Sequence, residues 1–374
     1  MPRYTSCASG SARDHRASLA SKSRVAGGHH FVGVHVLHEL YHVSHKRGTH
    51  LSILLRSALL TAIAFGAATL GFGHDRVATA GSALPLKTVA TVALPGAASR
   101  FDYESLNPKT NLLFLAHLAA SEVVVFNVKT NRVVATIPNV DHVHGVLAVP
   151  QLGRVFATAT ATGTNEVAII DERTLKVIAR IPGGTYPDGM AYDDADEKLY
   201  VSDEHGDTDT VIDTKANARI GTIPLGGDVG NTQYDAATHR FYVNVQTRGD
   251  LVAIDPAKDA IVARYALTGC ESNHGLYLDQ THRKAYVACE DNAKLVVFDL
   301  TSWRQAETLE TGKDPDVLAY DERSATLYVA AESGIVSMSR RTRRAYETSA
   351  RRCLPTTRTS SPSISGRIAS TSRS

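Results

Sequence analysis

The chain has 374 residues, 43% of them hydrophobic and 21% charged, with four cysteines and a formal net charge of +2. The near-neutral total hides an uneven distribution: between Leu86 and Ile335, 22 Lys and Arg stand against 34 Asp and Glu, a balance of −12, so the body is acidic and both ends are basic. An acidic body argues against unspecific attraction to phosphate backbones, which needs a positive surface, so nucleic acid is not expected as a partner.

Residues 1–50 are rich in histidine and contain His38-Glu39-Leu40-Tyr41-His42. On a helix His38 and His42 would share a face and could hold zinc, with Glu39 as general base. His29, His30, His35, His45 and His50 lie nearby, and composition alone accounts for a chance match. This leader is read as mis-assigned or disordered. Residues 51–80 follow with Arg56, the uncharged run "SALLTAIAFGAATLGF" and the small-residue site Ala78-Thr79-Ala80. Basic flank, short apolar core and A-x-A describe a secretory signal peptide. The run is shorter than the roughly 20 residues of a membrane span, so no stable span is expected and the protein is placed in the periplasm or outside the cell.

The body, residues 86–336, is repetitive. "DGMAYDDADEKLYVSDE" (188–204) matches "HGLYLDQTHRKAYVACE" (274–290) and "DVLAYDERSATLYVAAE" (316–332), with looser copies at 102–118, 144–160 and 230–246. The copies begin at Asp102, His144, Asp188, Gly230, His274 and Asp316, spaced 42, 44, 42, 44 and 42 residues apart. Third and fourth apolar stretches follow most copies, as in "VVVFNV" and "VVATIP". Period-2 alternation, β-branched residues and tyrosine predict strands. Four strands per roughly 40-residue unit make the blade of an all-β propeller. One blade cannot cover its own apolar faces, so the units must pack about an axis.

The segments "LYVSDE", "FYVNVQ", "AYVACE" and "LYVAAE" resemble the YVTN-type repeat of YncE-like exported bacterial propellers, over roughly residues 86–336. The resemblance implies seven blades, export to the periplasm and no established catalysis. DNA binding ascribed to some such proteins sits badly with the −12 body.

Only six copies are visible. "LKTVATVALPGA" (86–97) reads as a lone fourth strand that completes the last blade, whose other three strands should come from the C-terminus. Residues 337–374 are instead rich in Arg, Ser and Thr with almost no apolar periodicity. They are read as an aberrant, basic, disordered tail left by a shifted reading frame near Ser337. The seventh blade is then lost, and exposed strand edges would invite aggregation.

If the first strand of each unit is innermost, its opening residue faces the axial channel. Asp102, His144, Asp188, His274 and Asp316 then share one rim. The hairpin brings Glu204, Glu290 and Glu332, at the ends of second strands, beside them. Such a ring suits a small polar ligand or a divalent metal, with His142, His144 and His274 as candidate imidazole ligands. Turn chemistry alone also explains Asp at such positions. Counting the hairpin register places Cys289 opposite His274, with Cys270 near. A Cys270–Cys289 disulfide fits an oxidising compartment; the alternative is a nucleophilic Cys289 beside His274. No G-x-G-x-x-G, P-loop or G-x-S-x-G pattern occurs. The expected function is a binding scaffold for a small ligand or a periplasmic protein. The catalytic alternative is a lactonase-like hydrolase, since lactonases build His and carboxylate rims on similar scaffolds.

Overall fold

The six segments aligned in the sequence are the first hairpins of six antiparallel sheets in the computed structural model, with tyrosine on the second strand of four of them. The structure describes residues 86, 90–96, 99–161, 163–342, 345–353 and 363–365. The leader with its H-E-x-x-H pattern and the signal-peptide segment lie outside these residues. Each sheet has four strands in chain order. Blade 3, for example, is Pro187–Asp193, Lys198–Asp203, Thr208–Asp213 and Ala218–Pro224. Three single-turn 3-10 segments complete the regular structure, and there is no α-helix among the described residues.

The first strands of the blades are Glu104–Asn107, Val143–Val149, Pro187–Asp193, Val229–Asp235, Asn273–Asp279 and Pro315–Asp321. Successive first strands pack against one another, so they line the axis and the sheets radiate from it as a β-propeller.

The residue types follow from this placement. Third strands such as "VVVF" (123–126) and "LVVF" (295–298) lie between neighbouring blades and are apolar on both faces. Fourth strands such as Arg132–Pro138 and Lys176–Pro182 are outermost, and their residues alternate between exposed and half-buried. Within blade 1 alternation splits the core. Phe114, Ala116, Val123 and Val125 pack towards blade 2, and Leu113, Leu115, Val124 and Phe126 form the opposite face. In blades 3 to 6 the first hairpin turns on a buried Asp. Asp193 Oδ1 accepts the Ala195 and Asp196 backbone N–H groups at 2.8 and 3.3 Å, and Asp235, Asp279 and Asp321 cap their own turns the same way. An Asp side chain that satisfies turn N–H groups supplies what the reversed backbone lacks.

Two features differ from the sequence reading. Blade 6 is completed by Ile335–Arg341 and Tyr346–Cys353, so the boundary expected at 336 falls inside a strand, and the tail is ordered over these residues. Val336 and Met338 are buried and Tyr346 Oη lies 2.6 Å from Tyr286 Oη. Backbone N–H and C=O groups on the open edge of a sheet recruit a neighbour whatever its side chains, and apolar periodicity does not report that. Thr91–Ala93, expected as a lone fourth strand, pairs with Ser363–Ser365 in a two-stranded sheet. Val92 and Leu94 pack on the free face of blade 1 with Phe101, Leu113 and Leu115, which covers apolar surface that a seventh blade would otherwise bury.

Candidate functional site

The inner strands open irregularly, and the irregularity builds the site. In blade 2 the register steps from Val143↔Ala159 to Val146↔Ala157, so the inner strand carries one extra residue at His144-Gly145. The same bulge recurs at Asp188-Gly189, Gly230-Asn231 and His274-Gly275, with a shorter irregularity at Asp316. Bulged residues leave the ladder and can be re-aimed. Two residues earlier, His142, Tyr186, Ser272 and Asp314 adopt positive φ between 44° and 61°, and this kinks the chain onto the rim. Two of the glycines are required by their neighbours. A Cβ on Gly145 would stand 2.1 Å from the Asp188 carbonyl oxygen, and one on Gly275 would stand 1.8 Å from that of Asp316.

The second strands end at the same level. The Glu204, Gln246, Glu290 and Glu332 backbone N–H groups donate to the carbonyls of Tyr186, Asp228, Ser272 and Asp314 at 2.7–3.0 Å. This repeated bond places each second-strand end beside the rim.

All eight rim residues named from the sequence, Asp102, His144, Asp188, Glu204, His274, Glu290, Asp316 and Glu332, line one cavity of about 330 Å³ at the channel mouth. Arg100, Tyr103, Tyr186, His205, Asp291 and Asp314 complete it. Most of these additions had a readable signal. Arg100, Tyr186 and Asp314 sit two positions before rim residues, and His205 and Asp291 sit one after second-strand glutamates. Tyr103 has no counterpart in the repeat and could not be found that way. His142 does not join the lining; it is exposed, and its backbone N–H bonds Ser121 Oγ at 3.1 Å. Asn231 of blade 4, one residue past the aligned Gly230, is not in the lining and reaches the cavity through the Tyr103 hydroxyl.

Tyr103 plugs the axis below the cavity. Its hydroxyl accepts from Asn231 Nδ2 at 2.7 Å, donates to Asp316 Oδ1 at 3.1 Å and lies 3.1 Å from His274 Nε2. One phenol from blade 1 thus touches blades 4, 5 and 6. Above it, His144 Nδ1 lies 2.8 Å from Asp102 Oδ2 and 3.8 Å from Asp188 Oδ1. His274 Nε2 lies 3.5 Å from Asp188 Oδ2 and 3.7 Å from Asp316 Oδ1. Gln246 Nε2 stands 2.8 Å from His274 Nδ1. Tyr186 is packed between His144 and His205, with ring centroids 4.8 and 4.6 Å away.

Eight carboxylates against Arg100 and three histidines make the cavity strongly acidic. Burial pushes the Glu290 and Asp316 carboxyls up to about 7, with neighbouring carboxylates adding to the shift, and it raises Glu204 as well. Burial opposes charge on His274, but Asp188, Asp316 and Glu290 outweigh it and hold the imidazole well above its ordinary pKa. The same contest on His144 is won by Asp102, and its pKa is raised. Asp188 is held below the carboxylate range; burial works against it, and His274, His144 and Arg100 prevail. Burial beside Glu204 and Asp188 takes the Tyr186 phenol up to about 12. Such a site favours cations and hydrogen-bond donors and repels anions.

Cys270 and Cys289 form a disulfide, which removes the nucleophile alternative. Cys289 pairs with Asn273 and not with His274, because the bulge displaces the histidine from the register counted in the sequence. The bond occupies a recurring structural position, where the second-strand end is tied to the loop that leads into the blade. In blade 3 Asp203 ties it, accepting the Gly184 N–H at 2.9 Å and the Thr208 hydroxyl at 2.8 Å. In blade 1 His117 does so, with Nε2 2.7 Å from Ser99 Oγ and Nδ1 3.0 Å from Glu122 Oε1. This Ser-His-Glu chain has the hydrogen-bond order of a hydrolase triad. Its fully buried imidazole, stacked on Phe101 with centroids 4.0 Å apart, and its equivalence to the other two ties mark it as a structural clasp.

A further His and carboxylate group, Asp193, Asp196 and His239, lies at the opposite end of the channel. It belongs to the first-hairpin turns of blades 3 and 4 and is remote from the cavity.

No family model matches the chain. Over 170 residues it is 25% identical to the protein YncE of Salmonella typhimurium (strain LT2), described as uncharacterized, and equally so to that of Salmonella typhi. The match takes in 44% of this chain and 47% of theirs, so the chain spans about half the length of the curated relatives it matches. Among solved structures, Kuenenia stuttgartiensis hydrazine synthase superposes with a TM-score of 0.47 at 13% identity, over 65% of this chain and 95% of that one. The fold is a β-propeller of four-stranded blades, and part of the chain is similar in sequence to YncE. Among the described residues no helix is long and apolar enough to cross a membrane.

Proposed function

We propose that this protein is an exported propeller that serves as a binding scaffold, and that its axial cavity takes a small cationic ligand. The single observation behind this is the charge of the cavity: eight carboxylates face about 330 Å³ of space against one guanidinium and three imidazoles. Like charges brought together out of water repel strongly, and a bound cation is the direct relief. Export is supported by the signal-like segment 51–80 and by the disulfide, which suits an oxidising compartment.

The test is calorimetric titration of the full chain, stripped with a chelator, against spermidine, Mn²⁺ and Zn²⁺, with citrate and phosphate as anionic controls. At least one cation binds, and Glu290→Gln combined with Asp316→Asn weakens it; the anions do not bind. Binding confined to the anions, or no binding at all, overturns the reading.

Hydrolysis of a lactone is a second reading, drawn from the 2.8 Å contact between His144 and Asp102 at the cavity wall. The raised pKa of His144 weighs against it, because the shift favours the protonated imidazole, which donates a proton and does not accept one. Turnover of a lactone panel that is abolished in His144→Gln would restore it.

A further inference from the structure

We infer that the extra residue carried by every outermost strand guards the rim of the disc: it keeps the six open sheet edges from pairing with the edges of a second copy of this chain.

In each blade the fourth strand is the last of its sheet, so its outward N–H and C=O groups have no ladder partner among the described residues. Such an edge is a template for a strand of another molecule. A propeller built of repeats offers several at once, and each has the form to pair with the others.

All six edges carry the same interruption. Val125 pairs with Ala135 but Phe126 pairs with Val133, so Val134 has no residue opposite. Ile178, Ile220, Val262, Ala306 and Ser349 are passed over in the same way in blades 2 to 6. A bulge bends the strand and breaks the ladder on which an incoming strand would form. Beyond the bulge of blade 1 only Ala135–Pro138 stay in register.

The packing of the blades does not call for the extra residue. Val133 joins the cluster of Leu113 and Phe126 on one face of blade 1, and Ala135 joins that of Phe114 and Val125 on the other. In blade 4 Ile261 and Ala263 likewise belong to different clusters. Successive residues of an unbroken strand would serve the two faces equally well, because side chains alternate. The residue between them serves neither: Val134, Ile178, Ile220 and Val262 are 47–54% exposed.

Two further features of the edges have the same sense. Pro138, Pro182 and Pro224 close the fourth strands of blades 1 to 3 and have no N–H to offer a neighbour. Arg132, Lys176, Arg219 and Arg304 stand exposed near the start of theirs, and charge on an edge disfavours the addition of a strand. No proline closes the fourth strands of blades 4 and 5, so the bulge carries more of the protection there.

The experiment deletes Val262 or Ala306, each in the full chain, and follows association by light scattering and sedimentation. Val262→Thr, which keeps the bulge and removes the apolar side chain, is the control. The wild type and Val262→Thr stay monomeric. The deletion variants keep the circular dichroism of strands and associate at concentrations at least about tenfold lower. In the associated Val262 deletion, hydrogen exchange slows in the shortened fourth strand of blade 4. Folded deletion variants that remain monomeric overturn the inference. Association that leaves exchange in that strand unchanged overturns it too, because the new contact then lies elsewhere. If both deletions fail to fold, the bulge belongs to the packing of the blade and the inference falls. A wild-type oligomer that Val262→Thr dissolves also overturns it, since the exposed side chain would then be making the contact.

Discussion

The guanidinium of Arg100 stands 3.2 Å from the Glu332 carboxylate, although 232 residues separate them. The contact ties the chain entering blade 1 to the second-strand end of blade 6. Just inside it, Tyr103 and Asp316 repeat the connection with a half-buried hydrogen bond. The first and last complete blades are therefore joined at the mouth of the channel.

The two connections differ in worth. Arg100 and Glu332 are 41% and 36% exposed, and exposed ion pairs contribute about 0–1 kcal/mol. Removing the Tyr103 hydroxyl leaves Asn231, His274 and Asp316 without a shared partner, at about 1–3 kcal/mol. Tyr103→Phe is expected to lower the melting temperature more than Arg100→Gln, and to speed hydrogen exchange in Pro315–Asp321. Equal effects would show that the outer pair, and not the phenol, holds the ring.

Reduction of Cys270–Cys289 releases a loop whose ends are 19 residues apart. Loop-closure entropy puts the loss at about 3 kcal/mol. Cys270→Ser/Cys289→Ser should match the reduced wild-type protein in denaturant midpoint. Both should retain the far-ultraviolet signature of strands, since backbone ladders hold the four strands of each blade together.

The cavity acids give a signed pH dependence in chelator. The folded chain holds protons on Asp316 and Glu290 up to about pH 7, whereas the unfolded chain releases them near 4. Their stabilisation is full below about pH 4 and is lost as pH rises to about 7. His274, also raised, has the same sign and loses its contribution at higher pH; Asp188, lowered, has the opposite sign. Asp316→Asn should flatten the fall in stability between pH 5 and 7.5 by on the order of 2 kcal/mol, about 5 °C in melting temperature. An unchanged slope would mean that the Asp316 carboxyl ionises like one in water.

Gly275 and Gly153 separate crowding from backbone conformation. Gly153 has φ of +61° with nothing near its missing Cβ, so Gly153→Ala costs about 1–2 kcal/mol. At Gly275 the new methyl meets the Asp316 backbone, and overpacking typically costs about 1–3 kcal/mol or more. Gly275→Ala should also alter the cavity, because it displaces Asp316; Gly153→Ala should not. Denaturation midpoints and ligand affinity measured together check this.

The clasp in blade 1 makes a negative prediction. A serine-directed fluorophosphonate should leave Ser99 unlabelled, and Ser99→Ala should cost about 1 kcal/mol of stability. Stoichiometric labelling would return the Ser-His-Glu chain to the catalytic candidates.

Much of this was legible in the chain, for identifiable reasons. Period-2 alternation and a repeating tyrosine report strands because both faces of each sheet are covered by neighbours. The rim residues were legible because Asp102, His144, Asp188, His274 and Asp316 hold equivalent repeat positions, and hairpin geometry brings Glu204, Glu290 and Glu332 to the same level. The partner of Cys289 was misjudged by one residue because a bulge adds to one strand without marking the sequence. Tyr103 escaped because it breaks the repeat. Tyr346–Cys353 escaped because backbone pairing at an open edge leaves no apolar pattern to read.

The doubled step at the start of each inner strand has one more implication. The residues placed there sit outside the ladder, so blades 2 to 5 present His-Gly, Asp-Gly, Gly-Asn and His-Gly on one unchanged framework. Selection can rewrite the side-chain-bearing member of each pair one at a time, like tumblers in a lock, and give the same scaffold a new specificity without renegotiating how it folds.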